Sequence, residues 1–200
     1  MNKARKKTGF TLIETMLAVA IFTLLVTMGI GAVLAANSNY QNTQNLRAIT
    51  DNLNFIMEDM AKNIRLASSI RCAPLVADYN GENIEIPADC VGGGASIAFE
   101  PFRGKRGTFS DQWVYRIDTT AKKIQKSIDG GQNFSDLTDP AILSVNTGRS
   151  GFWVFGAEGT GDGDTEQPRV VIRLSGSIIY KGKVSEFNLQ TTVAQRNIDL

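Results

Sequence analysis

One carboxylate stands where a carboxylate is expensive. Glu14 lies inside Phe10–Ala36, FTLIETMLAVAIFTLLVTMGIGAVLAA, and is the one charged residue of that stretch. A lone charge in a bilayer costs about 2.5–3.5 kcal/mol on insertion scales, so it normally meets a partner. No Lys, Arg or His lies between residues 10 and 46 to provide one. A cut between Gly9 and Phe10 would create the missing cation, an α-amine at the head of the apolar segment. In parallel helices offset along their axes, Glu14 of one copy then meets the Phe10 amine of its neighbour. The competing reading leaves Glu14 hydrated at headgroup depth.

The rest of the chain offers little catalytic chemistry. Histidine is absent from all 200 residues, which removes most general acid/base designs, imidazole metal sites and nucleophile–base pairs. No paired catalytic carboxylates can be assigned either, so neither enzyme activity nor a cofactor is expected. Gly161-Asp162-Gly163-Asp164-Thr165-Glu166 gathers three carboxylates of the kind calcium accepts, without the full EF-hand pattern. Solvated acidic loop and calcium site are both open there. Arg103, Lys105 and Arg106 sit between Phe102 and Phe109, a cluster able to contact DNA phosphates and stack on bases, or merely to solubilise a surface. Gly92-Gly93-Gly94 lacks the Lys-Ser/Thr of a phosphate loop and reads as a flexible segment. Cys72 and Cys90 are too few for a disulfide scaffold or a four-cysteine zinc site. Joined on the cell exterior they would contribute about 3 kcal/mol in the chain-entropy model; in a reducing habitat they are two free thiols.

These residues need elements to carry them. Lys3, Arg5, Lys6 and Lys7 precede the apolar run with no acid among them, and without them the chain has a formal charge of about −3. As a helix, residues 10–36 span about 40 Å, more than the ~30 Å hydrocarbon core. Basic residues before such a span keep the N-terminus cytoplasmic and put residue 37 onward outside. The run is longer than a secretory signal's apolar region, so it stays in the mature protein. Leu46, Ile49, Leu53, Ile56, Met57, Met60, Ile64 and Ala67 then recur at spacings of three and four, one face of a helix expected to reach residue 70.

Beyond it lie short strand-like runs. They are Ala95–Phe99, Gln112–Asp118, Lys122–Ile128, Ala141–Asn146, Gly151–Phe155, Val170–Leu174, Ser177–Tyr180 and Glu186–Val193. The second and third flank Thr119-Thr120-Ala121 as a hairpin. The expected fold is α+β: a leader (1–9), a transmembrane helix (10–36), an amphipathic helix (37–70) and a mostly antiparallel β head (71–200) on that helix.

The Lys-rich leader, Gly9 and Phe10-Thr11-Leu12-Ile13-Glu14 together resemble the processing motif of type IV prepilins and the pseudopilins of type II secretion. The resemblance implies a membrane peptidase that cuts after Gly9 and methylates Phe10, with Glu14 as the assembly residue. It also implies other pilins and an inner-membrane assembly platform as partners, with lipid around the helix before assembly. Many major pilins carry a proline in the first helix. Here Gly29 and Gly31 stand in that region, either as a softening point or for close helix contact. The head, with Trp113–Asp118, Gly151–Phe155 and the terminal Leu189–Asn197, is similar to minor pilins and J-type pseudopilins. That implies a place in a priming complex or at a filament tip. An adhesin or DNA receptor displayed at the tip, and an anchored protein that never polymerises, are the alternatives.

Overall fold

The computed structural model describes residues 9–79, 86–105, 107–158 and 166–196. The chain divides into two compact units, residues 1–45 and Leu46–Leu200. A single helix, α1 (Leu12–Arg65), supplies most of the first and enters the second. The amphipathic stripe behaves as its spacing requires: Leu53, Ile56, Met57, Met60 and Ile64 are buried, and Leu46 and Ile49 are half-buried against them. Phe55, off the stripe, is exposed.

The helix stops at Arg65, short of the expected residue 70. Leu66 and Ala67 bond back three residues, to Asn63 and Ile64, and Ser69 takes a positive φ of 50°. Such tightening ends a helix. The freed carbonyls are met by the far end of the chain: Arg196 N–H donates to Arg65 O at 2.9 Å, and the Gln195 side chain donates to Ala67 O at 2.6 Å. Ser68–Ala73 is consequently a strand, β1.

Nine further strands follow in the described residues: β2 (Cys90–Gly94), β3 (Ser96–Glu100), β4 (Trp113–Asp118), β5 (Lys123–Ser127), β6 (Ser135–Asp136), β7 (Leu143–Val145), β8 (Gly151–Phe155), β9 (Arg169–Tyr180) and β10 (Lys183–Ala194). They form two antiparallel sheets rather than one. The first has the order β1-β3-β4-β5-β6; the second runs β10-β9-β8-β2, with β7 also on β9. Ile97, Phe99, Tyr115 and Ile124 of the first sheet share one core with Phe152, Val154, Ile172 and Leu174 of the second and with the buried stripe of α1. The fold is α+β, a long apolar N-terminal helix whose later turns pack with antiparallel sheets.

The expected hairpin is β4–β5, in register from Val114↔Ser127 to Asp118↔Lys123. Asp118 Oδ1 closes its turn by accepting the Thr120 and Ala121 N–H groups at 2.9 and 2.8 Å. The two runs Val170–Leu174 and Ser177–Tyr180 are one strand, paired with β10 along its whole length. Gly92–Gly94 belongs to strand β2 rather than forming a flexible segment. Gly93 has φ +78° with the Trp153 ring packed where a Cβ would stand, and Gly94 abuts the Ala73 carbonyl.

The helix is also keyed to the first sheet by a polar cluster. The Tyr115 hydroxyl donates to Asp59 Oδ2 at 2.9 Å, the Asn63 amide donates to Asp59 Oδ1 at 3.0 Å, and Lys126 Nζ lies 3.4 Å from Asp59 Oδ2. Lys126 also sits 4.0 Å from the Trp113 ring centroid. Burial, with the Asp59 charge beside it, pushes the Tyr115 hydroxyl well above its ordinary range, so it stays a donor.

A pH-sensitive turn follows β5. Ser127 Oγ–H donates to Asp129 Oδ1 at 2.6 Å; Asn133 gives its backbone N–H to the same oxygen and its side-chain amide to Oδ2. These bonds, Ser127's first, hold the Asp129 carboxyl below its ordinary 3.8, at about 2. A depressed pKa means the stabilisation is complete above the ordinary value and is lost as pH falls through about 2. An NMR titration of the Asn133 amide is therefore expected to show its midpoint near 2; a midpoint at the ordinary 3.8 would contradict the bonding described.

Candidate functional site

The candidate residues of the first unit sit at the beginning of α1. Gly9, Phe10 and Thr11 precede the helix, and Glu14 occupies its first turn. The Glu14 and Thr15 N–H groups both donate to Thr11 O, at 3.1 and 3.2 Å, so Thr11 is where the helical bonding begins. Thr11 and Glu14 thus hold the first and fourth positions of a Thr-x-x-Glu sequence, the spacing of a capping box. A carboxylate there also faces the positive end of the helix dipole.

Below Glu14 the helix wears its apolar residues outward. Phe10, Leu12, Ile13, Met16, Leu17, Phe22 and Leu25 are all more than half exposed, and so are Met28, Val33 and Leu34. An unbroken exposed apolar surface of this extent is foreign to water-soluble domains. Its polar residues are satisfied within the helix. The hydroxyls of Thr15, Thr23 and Thr27 donate to the carbonyls of Leu12, Val19 and Thr23 at 2.8, 2.8 and 2.7 Å. Without water, such back-bonding is how a hydroxyl enters hydrocarbon. Gly29 and Gly31 are helical, and no atom beyond their local helix lies where a Cβ would stand. Among the described residues, α1 is the one helix long and apolar enough to cross a membrane.

Residues 4–30 match the prokaryotic N-terminal methylation motif. The match covers the leader bases from Arg5, the Gly9–Phe10 junction, Glu14 and most of the apolar run. Motif and exposed helix together support a pilin- or pseudopilin-type protein held in a membrane. No curated protein and no solved structure matches the chain.

The remaining candidates are scattered over the second unit. Cys72 of β1 and Cys90 of β2 form a disulfide with Cα atoms 5.8 Å apart. β1 ends the first sheet's order and β2 ends the second's, so the bridge joins the two sheets at their margins. Arg103 takes a positive φ of 69° with its guanidinium 5.4 Å from the exposed Phe102 ring, and Lys105 N–H donates to Asp111 Oδ2 at 2.9 Å. Arg106, third of that basic trio, lies outside the described residues. The Glu100 carboxylate lies against Gly104 of the same loop, setting acid beside the bases. Residues 161–165 of the calcium candidate are outside the described residues as well, and Glu166 lies 3.7 Å from the Arg169 guanidinium. No group of three or more His, Cys, Asp or Glu side chains able to hold a metal occurs among the described residues.

Proposed function

We propose that the chain is a structural subunit of a type IV pilus or type II secretion pseudopilus, cut after Gly9, methylated on Phe10 and polymerised through α1. The observation that carries this reading is the methylation motif over residues 4–30, on a helix whose apolar side chains are exposed. An exposed apolar cylinder serves twice in such a life, first among lipid tails and then among identical helices in a filament core. The leader bases argue for a cytoplasmic N-terminus and a single pass, with the β head extracytoplasmic.

The finer assignment is a minor subunit, at the tip or in a priming complex. It rests on the head's Trp113–Asp118 and Gly151–Phe155 strands and on a cysteine pair placed early in the head rather than near the C-terminus. Division into leader (1–9), membrane helix (10–36), amphipathic helix and head (71–200) is part of the same proposal.

Intact-mass measurement after co-expression with a prepilin peptidase tests the processing. The expected product begins at Phe10 and carries one added methyl group. Full-length chain persisting beside an active peptidase would overturn the reading, leaving an anchored protein that does not polymerise.

A further inference from the structure

The second sheet carries a polar recess on the face turned away from the core. Leu143, Val145, Leu174 and Ile178 point inward and are buried. Strand alternation therefore turns Ser144 of β7 and Ser175 and Ser177 of β9 to the opposite face. Pairing lines up Ser144, Ser177 and Glu186 across three strands, and sets Ser175 beside Asn188 in the adjacent row. The Asn146 N–H donates to Ser175 O at 2.8 Å as the chain leaves β7 for the turn that walls one side. The hollow measures about 330 Å³, at the lower end for small-molecule sites, and Lys122, Thr147 and Arg149 complete its lining.

One group in this lining is conspicuous. Ser175 is 2% exposed, and its Oγ has no hydrogen-bond partner within the described residues. Its backbone is fully engaged, the N–H donating to Ser150 Oγ at 2.9 Å and the carbonyl accepting the Ser150 hydroxyl at 3.0 Å. A buried hydroxyl that makes no hydrogen bond is a deficit that a polar guest in the recess removes.

The donor set selects the guest. Serine, threonine and asparagine side chains both donate and accept; Arg149 and Lys122 only donate, and Glu186 only accepts. An apolar ligand would strand these groups, and a polyphosphate would meet Glu186. Vicinal hydroxyls, each donor and acceptor at once, satisfy all of them. One step along the same face runs an apolar row: Ile179 pairs with Val184, and its N–H donates to Ile142 O. These three side chains are 42, 41 and 64% exposed for Ile142, Ile179 and Val184. They offer a platform for the C–H face of a ring. We propose that this recess binds a saccharide, independently of whether the chain polymerises.

Saturation-transfer NMR on the full-length protein in a non-glycosidic detergent tests this. Galactose, N-acetylglucosamine and glucuronic acid serve as separate probes, with glycerol as the non-ring control. Transfer to ring protons of at least one sugar is expected, with Kd of about 1 mM or tighter. A Ser144→Leu/Ser177→Leu protein, with the floor filled, is expected to lose about tenfold or more in affinity while keeping its circular dichroism spectrum. Should that pair disturb folding, Asn188→Leu and Arg149→Ala, both at exposed positions, replace it. Absence of transfer to all three sugars, equal transfer to glycerol, or unaltered affinity in folded variants overturns the proposal.

Discussion

A Glu14→Ala chain is expected to insert and be cleaved as usual, yet to reach fibres at about a tenth or less of the normal yield. The carboxylate sits in the first turn of α1, where nothing in the chain pairs with it from residue 10 to residue 46. On the proposed function, processing makes the α-amine of a neighbouring copy the cation that the filament supplies. At a separation near 4 Å and an effective dielectric of about 20, two unit charges attract by about 4 kcal/mol before desolvation. Losing even a third of that changes an association equilibrium by about tenfold. Alanine alone leaves two causes entangled, because Glu14 also completes the Thr11-x-x-Glu14 spacing at the helix start. Glutamine separates them. It is equally acceptable at the fourth position of a capping box but carries no charge. Glu14→Gln is therefore expected to assemble as poorly as Glu14→Ala. Immunoblots of sheared fibres against membrane fractions, with all other subunits intact, provide the measurement. Full assembly by the Gln protein would assign Glu14 to helix capping, and full assembly by the Ala protein would end both explanations.

What the sequence disclosed and what it withheld divide along one line, the range of the determinants. The methylation motif over residues 4–30 is a contiguous pattern, and the buried stripe from Leu53 to Ile64 follows from helical spacing alone; both were legible. The hairpin of β4 and β5 was legible too, since Asp118 closes its own turn. Elements that depend on distant partners were not. Ser68–Ile70 falls inside the expected helix, yet Ser68–Ala73 forms β1 because β3 pairs with it and the tail from Gln195 to Arg196 takes the carbonyls of Arg65 and Ala67. Gly176 reads as a break between two strands. In β9 it is a fitting, since a Cβ there would strike the Phe187 ring and the Ser144 carbonyl. Gly93 and Gly94 of β2 likewise make a close seam against Trp153 and Ala73, a contact no local rule announces. The polar recess is more remote still, because Ser144, Ser175 and Asn188 meet through register across three strands.

That seam carries the second large effect. Cys72 and Cys90 connect the marginal strands of the two sheets, and the loop they close spans a sequence separation of 18. For a loop of about this size the chain-entropy model assigns about 3 kcal/mol to the crosslink. The backbone tie beside the crosslink is weak by comparison: an isolated bridge between Arg71 and Ala88, with Ala88 N–H donating to Ile70 O at 3.1 Å. Cys72→Ala/Cys90→Ala is therefore expected to lower unfolding free energy by about 2–4 kcal/mol in urea titrations. Alanine is preferred to serine because Cys72 is buried with its sulfur 3.6 Å from Phe152 O, where a hydroxyl would form a new hydrogen bond. Reductant should reproduce the loss in the native chain and change nothing in the variant. Hydrogen exchange is expected to quicken first in β2, whose pairing with β8 shifts register between Cys90 and Gly94. Equal urea midpoints with and without reductant would mean that the shared core, not the crosslink, holds the two sheets together.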